Sequence, residues 1–326
     1  MSEIAAVILA AGKGTRMKSS LHKVLHPIAG RPMLDHLMAS VAALEPAKQV
    51  VVVGSGREQL EAALGDRALT CLQEPQLGTG HAVQQAEGAL AGFRGDVLVL
   101  YGDVPFVRPQ TMQRMLDRLH APDAPAVVVL GFEPEDTLQY GRVIADDQGR
   151  IVKMVEHKDA TEEERACRLC NSGLMAARAA DLFGLLARVG NDNAQGEYYL
   201  VDVVNVANAD GRHSAVVVTD DPDEVQGINS RGELAQAEAR WQRMKRDEMM
   251  AGGVSLVAPE TVFFSHDTQI AADVSVEPNV VFGPGVRIAS GARIRAFSHL
   301  EGAVVGEGCE VGPYARLRPG SVMEQG

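Results

Sequence analysis

Short, mostly apolar runs of β type, Ile4–Ala10, Gln49–Val53, Leu69–Leu72, Asp96–Tyr101 and Ala126–Phe132, alternate along the first two thirds of the chain with segments of helical period. Later runs near 142–156, 172–177 and 214–218 continue the series, and helices are predicted near 33–44, 57–64, 79–90, 109–119 and 179–189. Pro109 suits a first helical turn. Alternation of this kind predicts an α/β fold, a Rossmann-like, mostly parallel sheet covered by helices. Ligands of such open sheets sit beyond the carboxyl ends of the strands, where Gly12–Arg16, Gln73–Gly80 and Gly102–Pro105 emerge.

From Ser230 the pattern changes. Ser230 and Glu233 make a capping-box pair, and the following segment has no Gly or Pro after Gly232 until Gly252-Gly253. A helix over 231–252 would run roughly 25–30 Å at about 1.5 Å per residue, long enough for an arm between domains. One more surface helix of the first domain is the other reading. Beyond it Phe264, Ile270, Val276, Phe282, Ile288, Ile294 and Leu300 recur every six residues, and Val305, Val311, Leu317 and Met323 resume after one five-residue step. Small or β-branched residues stand four positions after most of them: Thr268, Val274, Val280, Val286, Ala292, Ser298, Val304, Cys309, Ala315 and Ser321. This hexapeptide repeat predicts a left-handed parallel β-helix with the apolar residues turned inward. At about three hexads per coil it ends after fewer than four coils, as a truncated solenoid. The predicted domains are thus 1–230, a linker helix over 231–252, and the truncated β-helix over 253–326.

Composition narrows the class. A chain of 326 residues that is 46% hydrophobic but only 4% aromatic can bury a Val/Ile/Ala-rich core without disulfide or metal staples. The four cysteines, Cys71, Cys167, Cys170 and Cys309, are too scattered for a disulfide framework, and Cys167-x-x-Cys170 lacks a second pair for zinc. No apolar run approaches a membrane span and no leader-like segment precedes the first strand. The expectation is a cytoplasmic protein with no membrane partner. The net charge of -12 argues against nucleic acid.

Against that acidic background one window stands out. Between Glu3 and Asp35 there is no acid, yet Lys13, Arg16, Lys18, Lys23 and Arg31 all occur. A strand that breaks at Gly12 and Gly14 into such a loop offers backbone N–H groups and cations to phosphate. An ordinary surface turn would explain a lone Gly-x-Gly; the acid-free window favours an anion site. The Walker loop does not fit, because no Gly-Lys-Ser/Thr follows after a four-residue gap, nor does the dinucleotide fingerprint, since Met17 stands where its third glycine would be needed. Asp103, in Tyr101-Gly102-Asp103-Val104-Pro105 at the end of a buried-looking strand, is either a turn former or an oxygen ligand for Mg²⁺ against phosphates.

The Gly-x-Gly-Thr-Arg loop followed by Lys23-Val24-Leu25-His26-Pro27 and Gly30-Arg31-Pro32-Met33-Leu34 resembles the sugar-1-phosphate nucleotidyltransferases. Further segments, Gln73 with Gln76-Leu77-Gly78-Thr79-Gly80, Tyr140-Gly141-Arg142, Val155-Glu156-His157-Lys158, Asn171-Ser172-Gly173, Asn193–Leu200 and Val225-Gln226-Gly227-Ile228-Asn229, are similar to those of one branch. It is the bacterial bifunctional N-acetylglucosamine-1-phosphate uridylyltransferases/glucosamine-1-phosphate acetyltransferases, and the match runs the length of the chain. Two departures are His22, where the family usually has Pro, and Gln226, Ile228 and Ser230 around Asn229.

The resemblance implies a reaction of UTP with N-acetylglucosamine 1-phosphate giving UDP-N-acetylglucosamine and pyrophosphate, supplying peptidoglycan and lipopolysaccharide synthesis. It implies Mg²⁺ on Asp103 and Asn229, and Arg16 and Lys23 as the catalytic cations. Leu9, Ala10, Ala11, Gly12, Gly14, Lys23, Tyr101, Gly102, Asp103 and Asn229 would bind substrate, with Lys23 and Arg16 meeting the phosphates. Gln73, Gly78 and Thr79 would read the uracil, and Gly141, Glu156 and Asn171 would hold the sugar; from the residues alone Glu156 reads as a solvated hairpin acid. Arg318 matches a residue of the family's second site, whose acetyl-transfer histidine lies beyond residue 326, so acetyl transfer is expected to be absent from this chain. Full-length relatives are expected to be homotrimers. A pyrophosphorylase for another sugar phosphate and a non-catalytic scaffold of this fold are the alternatives.

Overall fold

The computed structural model describes residues 2–137 and 139–325; Met1 and Gly326, the outer bounds of the first and last predicted domains, lie outside the described residues. Two compact units form, one of Met1–Leu25 with Met33–Asn229, the other of His26–Pro32 with Ser230–Gly326.

The first unit is built on a nine-stranded sheet. Its strands are β1 (Ile4–Leu9), β2 (Lys48–Val53), β3 (Leu69–Leu72), β4 (Asp96–Tyr101), β5 (Val127–Phe132), β6 (Arg142–Ala145), β7 (Ile151–Val155), β8 (Cys170–Arg178) and β9 (Ala215–Val218). The main path runs β9-β5-β8-β4-β1-β2-β3, with β6 paired to β8 and β7. β1 is parallel to both neighbours, Ala5 facing Lys48 and Val97. Ala5, Ala6, Val7 and Ile8 are all buried, because helices cover both faces of a parallel sheet and leave no solvent side to alternate toward. α1 (Met33–Ala42), α2 (Arg57–Leu64) and α4 (Pro109–Leu119) pack one face. α3 (Thr79–Gln84), α6 (Ala179–Leu186) and α7 (Asp202–Ala209) pack the other.

β8 is antiparallel to β4 and β5, with Met175 opposite Val99 and Val129. The chain reaches it through the antiparallel β6–β7 pair and not through a helical crossover, so the parallel rule is relaxed there. α3 is shorter than the predicted 79–90 segment. Past Gln84 the backbone tightens to three-residue bonds, Gln85 N–H to Ala82 C=O at 3.2 Å and Ala86 N–H to Val83 C=O at 3.0 Å. Two helices were not anticipated. α5 (Glu162–Ala166) is capped by the Thr161–Glu164 box but buries nothing, so it has no apolar period. α7 is rich in Val and Asn, poor helix formers, and is held by burial of Val203, Val204 and Ala207.

In the second unit α8 (Arg231–Ala251) begins at Ser230, whose hydroxyl accepts from Glu233 N–H at 3.2 Å. The helix is pinned within its own unit: the Gln242 amide donates to Phe264 C=O at 2.7 Å and accepts from Phe264 N–H at 2.8 Å. The short hairpin of Pro27–Ile28 with Arg31–Pro32 joins it there, Ala29 N–H donating to Glu238 at 2.7 Å. Beyond α8, two-residue strands stack into three parallel sheets. Gln269 pairs with Arg287 and Arg287 with Val304, one coil after another. The result is a β-helix-like coil with Phe264, Val276, Phe282, Ile288, Ile294 and Leu300 buried inside. Val304 does not hold the inward place expected of it. It is 43% exposed while Ala303 is fully buried, because the five-residue step falls between Leu300 and the small residue and shifts that residue back by one.

Candidate active site

At the carboxyl end of β1 the chain leaves the sheet through Ala10 and Ala11, and Gly14 adopts a left-handed conformation at φ 58°. A Cβ at Gly14 would stand 2.6 Å from Lys23 Cβ, so only glycine lets the loop close on the lysine stem. Lys23 opens a 3₁₀ turn, Lys23–Leu25. Its ammonium donates to Asp103 Oδ2 at 2.6 Å and Asn229 Oδ1 at 3.0 Å, with the Lys23 and Asp103 side chains only 13% and 14% exposed. Asp103 is delivered by the end of β4, and its carbonyl accepts from Ile228 N–H at 2.9 Å, which ties the 227–229 segment beside it. Gly227 leaves the space: a Cβ there would lie 3.7 Å from Asp103 Oδ2 and 3.5 Å from Asn229 Nδ2.

These groups border a cavity of about 400 Å³ lined by Leu9, Ala10, Ala11, Gly12, Lys23, Gln73, Gly78, Thr79, Tyr101 and Asp103. Val24, Gln76, Ala82 and Glu197 also line it and were not singled out as site residues from the sequence. Gln76 and Glu197 sit inside recognised segments; Val24 and Ala82 are apolar, and nothing in their spacing separates a cavity wall from ordinary core.

One wall is held by backbone. Gln73 donates to Gly78 C=O at 2.8 Å, and the 77–80 turn is fastened to the 198–200 segment. Tyr198 N–H donates to Leu77 C=O at 2.8 Å, Gly80 N–H to Tyr198 C=O at 2.8 Å, and Leu200 N–H to Thr79 Oγ1 at 3.0 Å.

Tyr101 links this cavity to a second cluster. Burial pushes its phenol well above the ordinary range, and the carboxylates of Glu156 and Asp103 push the same way against a hydrogen bond with Thr79. It therefore stays a neutral hydroxyl. Gly173 at φ 86° lies under its ring, where a Cβ would come within 2.7 Å of Cε2. Asn171, buried, accepts from Gly173 N–H at 2.9 Å and donates its own N–H to Gly141 C=O at 2.9 Å. The Cβ position of Gly141 is 3.4 Å from Glu156 Oε2. Glu156 is not a solvated hairpin acid. Burial first, then the charges of Asp202 and Asp159, raise its carboxyl above the usual range.

The structure thus brings Gly141, Glu156 and Asn171 together around Tyr101, and Lys23, Asp103 and Asn229 around one point. Gly102 is bound into the floor, its N–H donating to Leu9 C=O at 2.9 Å. Arg16 is not among the lining residues; it is exposed on the 3₁₀ turn Thr15–Met17. Arg318 lies in the second unit and is exposed. No cluster of three or more His, Cys, Asp or Glu suited to a metal occurs among the described residues.

Residues 6–163 match the family model of the MobA-like NTP transferase domain. The chain is 73% identical over 320 residues to the bifunctional protein GlmU of Sphingopyxis alaskensis, covering 98% of this chain and 70% of that protein. With the GlmU of Novosphingobium aromaticivorans it shares 74% over 282 residues, 86% of this chain and 62% of the relative. With that of Zymomonas mobilis it shares 56%, covering 98% and 72%. Among solved structures, UDP-glucose pyrophosphorylase complexed with UDP-glucose aligns over 75% of this chain and all of its own, with a TM-score of 0.58 at 19% identity, a likeness of fold.

Proposed function

The chain belongs to the family of the bifunctional GlmU proteins, a nucleotidyltransferase family, and on that premise we propose that its first unit joins UTP to N-acetylglucosamine 1-phosphate, releasing pyrophosphate and forming UDP-N-acetylglucosamine. The observation that carries the reading is the convergence of Lys23, Asp103 and Asn229 beside a cavity walled by the Gly12 loop and the 73–79 segment.

The sugar phosphate is itself the nucleophile, so the site needs to position and neutralise and not to abstract a proton. Gly12 presents backbone without a side chain, and no atom lies within 4 Å of where its Cβ would be, which leaves room for a phosphate to approach. The Lys23 ammonium offsets charge gathering on the departing pyrophosphate. Arg16, on the neighbouring turn, turns inward to assist once a triphosphate is present. Gln73 and the backbone at Gly78 and Thr79 meet the base edge, while Glu156 and Asn171 accept and donate to sugar hydroxyls with Tyr101 between the two halves.

A magnesium ion fits Asp103 and Asn229: their Oδ atoms already converge on one cationic centre, and Gly227 keeps the space beside them open. When bound, it would draw the phosphates together and screen their charge. The same reading makes the second unit a left-handed β-helix reached through α8, and the protein a cytoplasmic enzyme. No helix among the described residues is long and apolar enough to cross a membrane.

The test is pyrophosphate release from UTP with N-acetylglucosamine 1-phosphate, with and without magnesium, against a panel of other sugar phosphates. Turnover confined to glucose 1-phosphate would replace the sugar assignment, and no turnover with any pair would favour a scaffold.

A further inference from the structure

The nucleotide cavity adjoins a larger one. About 610 Å³ of space opens beside it, bounded by Lys13, the 54–58 loop and the 72–76 segment. Two side chains, Gln73 and Gln76, line both. Gln73 is held by Gly78 C=O and lies 3.2 Å from His81 Nδ1. Gln76 is held differently: its amide donates a short hydrogen bond to the carbonyl of Ala11, reaching from the 73–80 segment to the end of β1. Room for that bridge comes from Gly54, where a Cβ would stand 2.5 Å from Gln76 Nε2 and 2.6 Å from Ala11 O. No larger residue fits behind the bridge without pushing it aside.

We propose that Gln76 is the partition that limits the size of the base: fastened to Ala11 across Gly54, it closes the nucleotide cavity to a six-membered ring and keeps a purine from extending into the adjoining space. This rests on the uridylyltransferase reading and deepens it from the class of reaction to the choice of nucleotide. Gln73, which by resemblance meets the base edge, shares the boundary with Gln76, so the base end of the ligand points at this wall. A pyrimidine gains nothing from the larger cavity. A purine in the same orientation needs it, because its fused ring system carries the pairing edge farther from the sugar than a pyrimidine's does. Discrimination by size alone is modest, a factor on the order of 10–100 for one misfit group in a pocket, so removal of the wall has a measurable effect.

The experiment compares kcat/KM for UTP, ATP and GTP, with N-acetylglucosamine 1-phosphate saturating, in the natural chain, Gln76→Ala and Gly54→Ala. The last leaves Gln76 chemically intact but pushes its amide aside, and presses on the Ala11 carbonyl as well. The UTP-to-ATP ratio is expected to fall on the order of 10-fold in Gln76→Ala, in the same direction in Gly54→Ala, with the KM for sugar phosphate unchanged. A variant too slow to assay is read by equilibrium titration with UTP and ATP, which reports the same ratio. An unchanged ratio in a variant with the natural melting temperature overturns the proposal, as does an equal loss with every nucleotide. Failure of the natural chain to use UTP is a separate result and counts against the reaction, since the binding ratio is scored without turnover.

Discussion

Lys23 is held by two oxygen acceptors at 2.6 and 3.0 Å, and the acid of that pair is its only charged partner among the contacts described. Asp103→Ala removes that acid from a strand end without emptying the core. Pyrophosphate release is expected to fall on the order of 10²–10³-fold while the melting temperature holds; near-natural turnover at saturating magnesium would refute the metal assignment. Glu156 makes a different prediction, because burial and the charges of Asp202 and Asp159 raise its carboxyl. The folded protein therefore binds that proton more tightly than the unfolded chain does. Ionising Glu156 costs stability at neutral pH, and the cost fades as pH falls below the folded value and vanishes below the unfolded one. Glu156→Gln is expected to raise the melting temperature at pH 8 and leave it unchanged at pH 4. It should also raise the KM for sugar phosphate more than that for UTP, since a carboxylate acceptor is lost at a cost of about 1–3 kcal/mol. A stability gain of equal size at both pH values would show that the shift belongs to another group.

The turn at 77–80 shows how an element carries the site. Gly78 has φ 108°, and a Cβ would lie 2.6 Å from Tyr198 O, so Gly78→Ala must break the seam between this turn and the 198–200 segment. Backbone strain alone is worth about 1–3 kcal/mol, and Gln73 loses the carbonyl that orients it. The expected result is a melting temperature several degrees lower and a KM for UTP raised more than that for sugar phosphate; equal changes in both would place the turn outside the nucleotide half. That seam was only partly legible in the sequence. The strands of the first unit were readable because an apolar run buried on both faces needs no partner to declare itself. The 73–80 segment was readable only through family resemblance, since its contacts to 198–200 lie more than a hundred residues away. α7 was missed because tertiary burial of Val203 and Val204 overrides their poor helix propensity. Gln76 lies in a recognisable segment, but its bond to Ala11 is a fact of geometry that spacing does not encode. Arg16 shows the converse: a loop cation is visible in the sequence, but its exposed placement on the Thr15–Met17 turn is not.

At the scale of the molecule, the two units keep separate apolar cores. The first is a sheet with helices on both faces. The second has apolar residues from three sheets stacked coil on coil, with the Phe264 and Phe282 rings 5.3 Å apart and 8° from parallel at its start. In such a stack each coil is stabilised chiefly by its neighbours, so a defect is felt along the coil and the hexad period signals the element before any contact is known. Phe282→Ala removes a fully buried ring and half of the stacked pair, a loss of about 3–5 kcal/mol. Because this cost falls on the core of the second unit, calorimetry is expected to show the loss in the transition that belongs to the coil. Pyrophosphate release at 25 °C should be retained, since none of the cavity residues lies in that core. A parallel fall in turnover and in every transition would mean that the two cores unfold as one, and that the coil supports the uridylyltransferase unit energetically as well as following it in sequence.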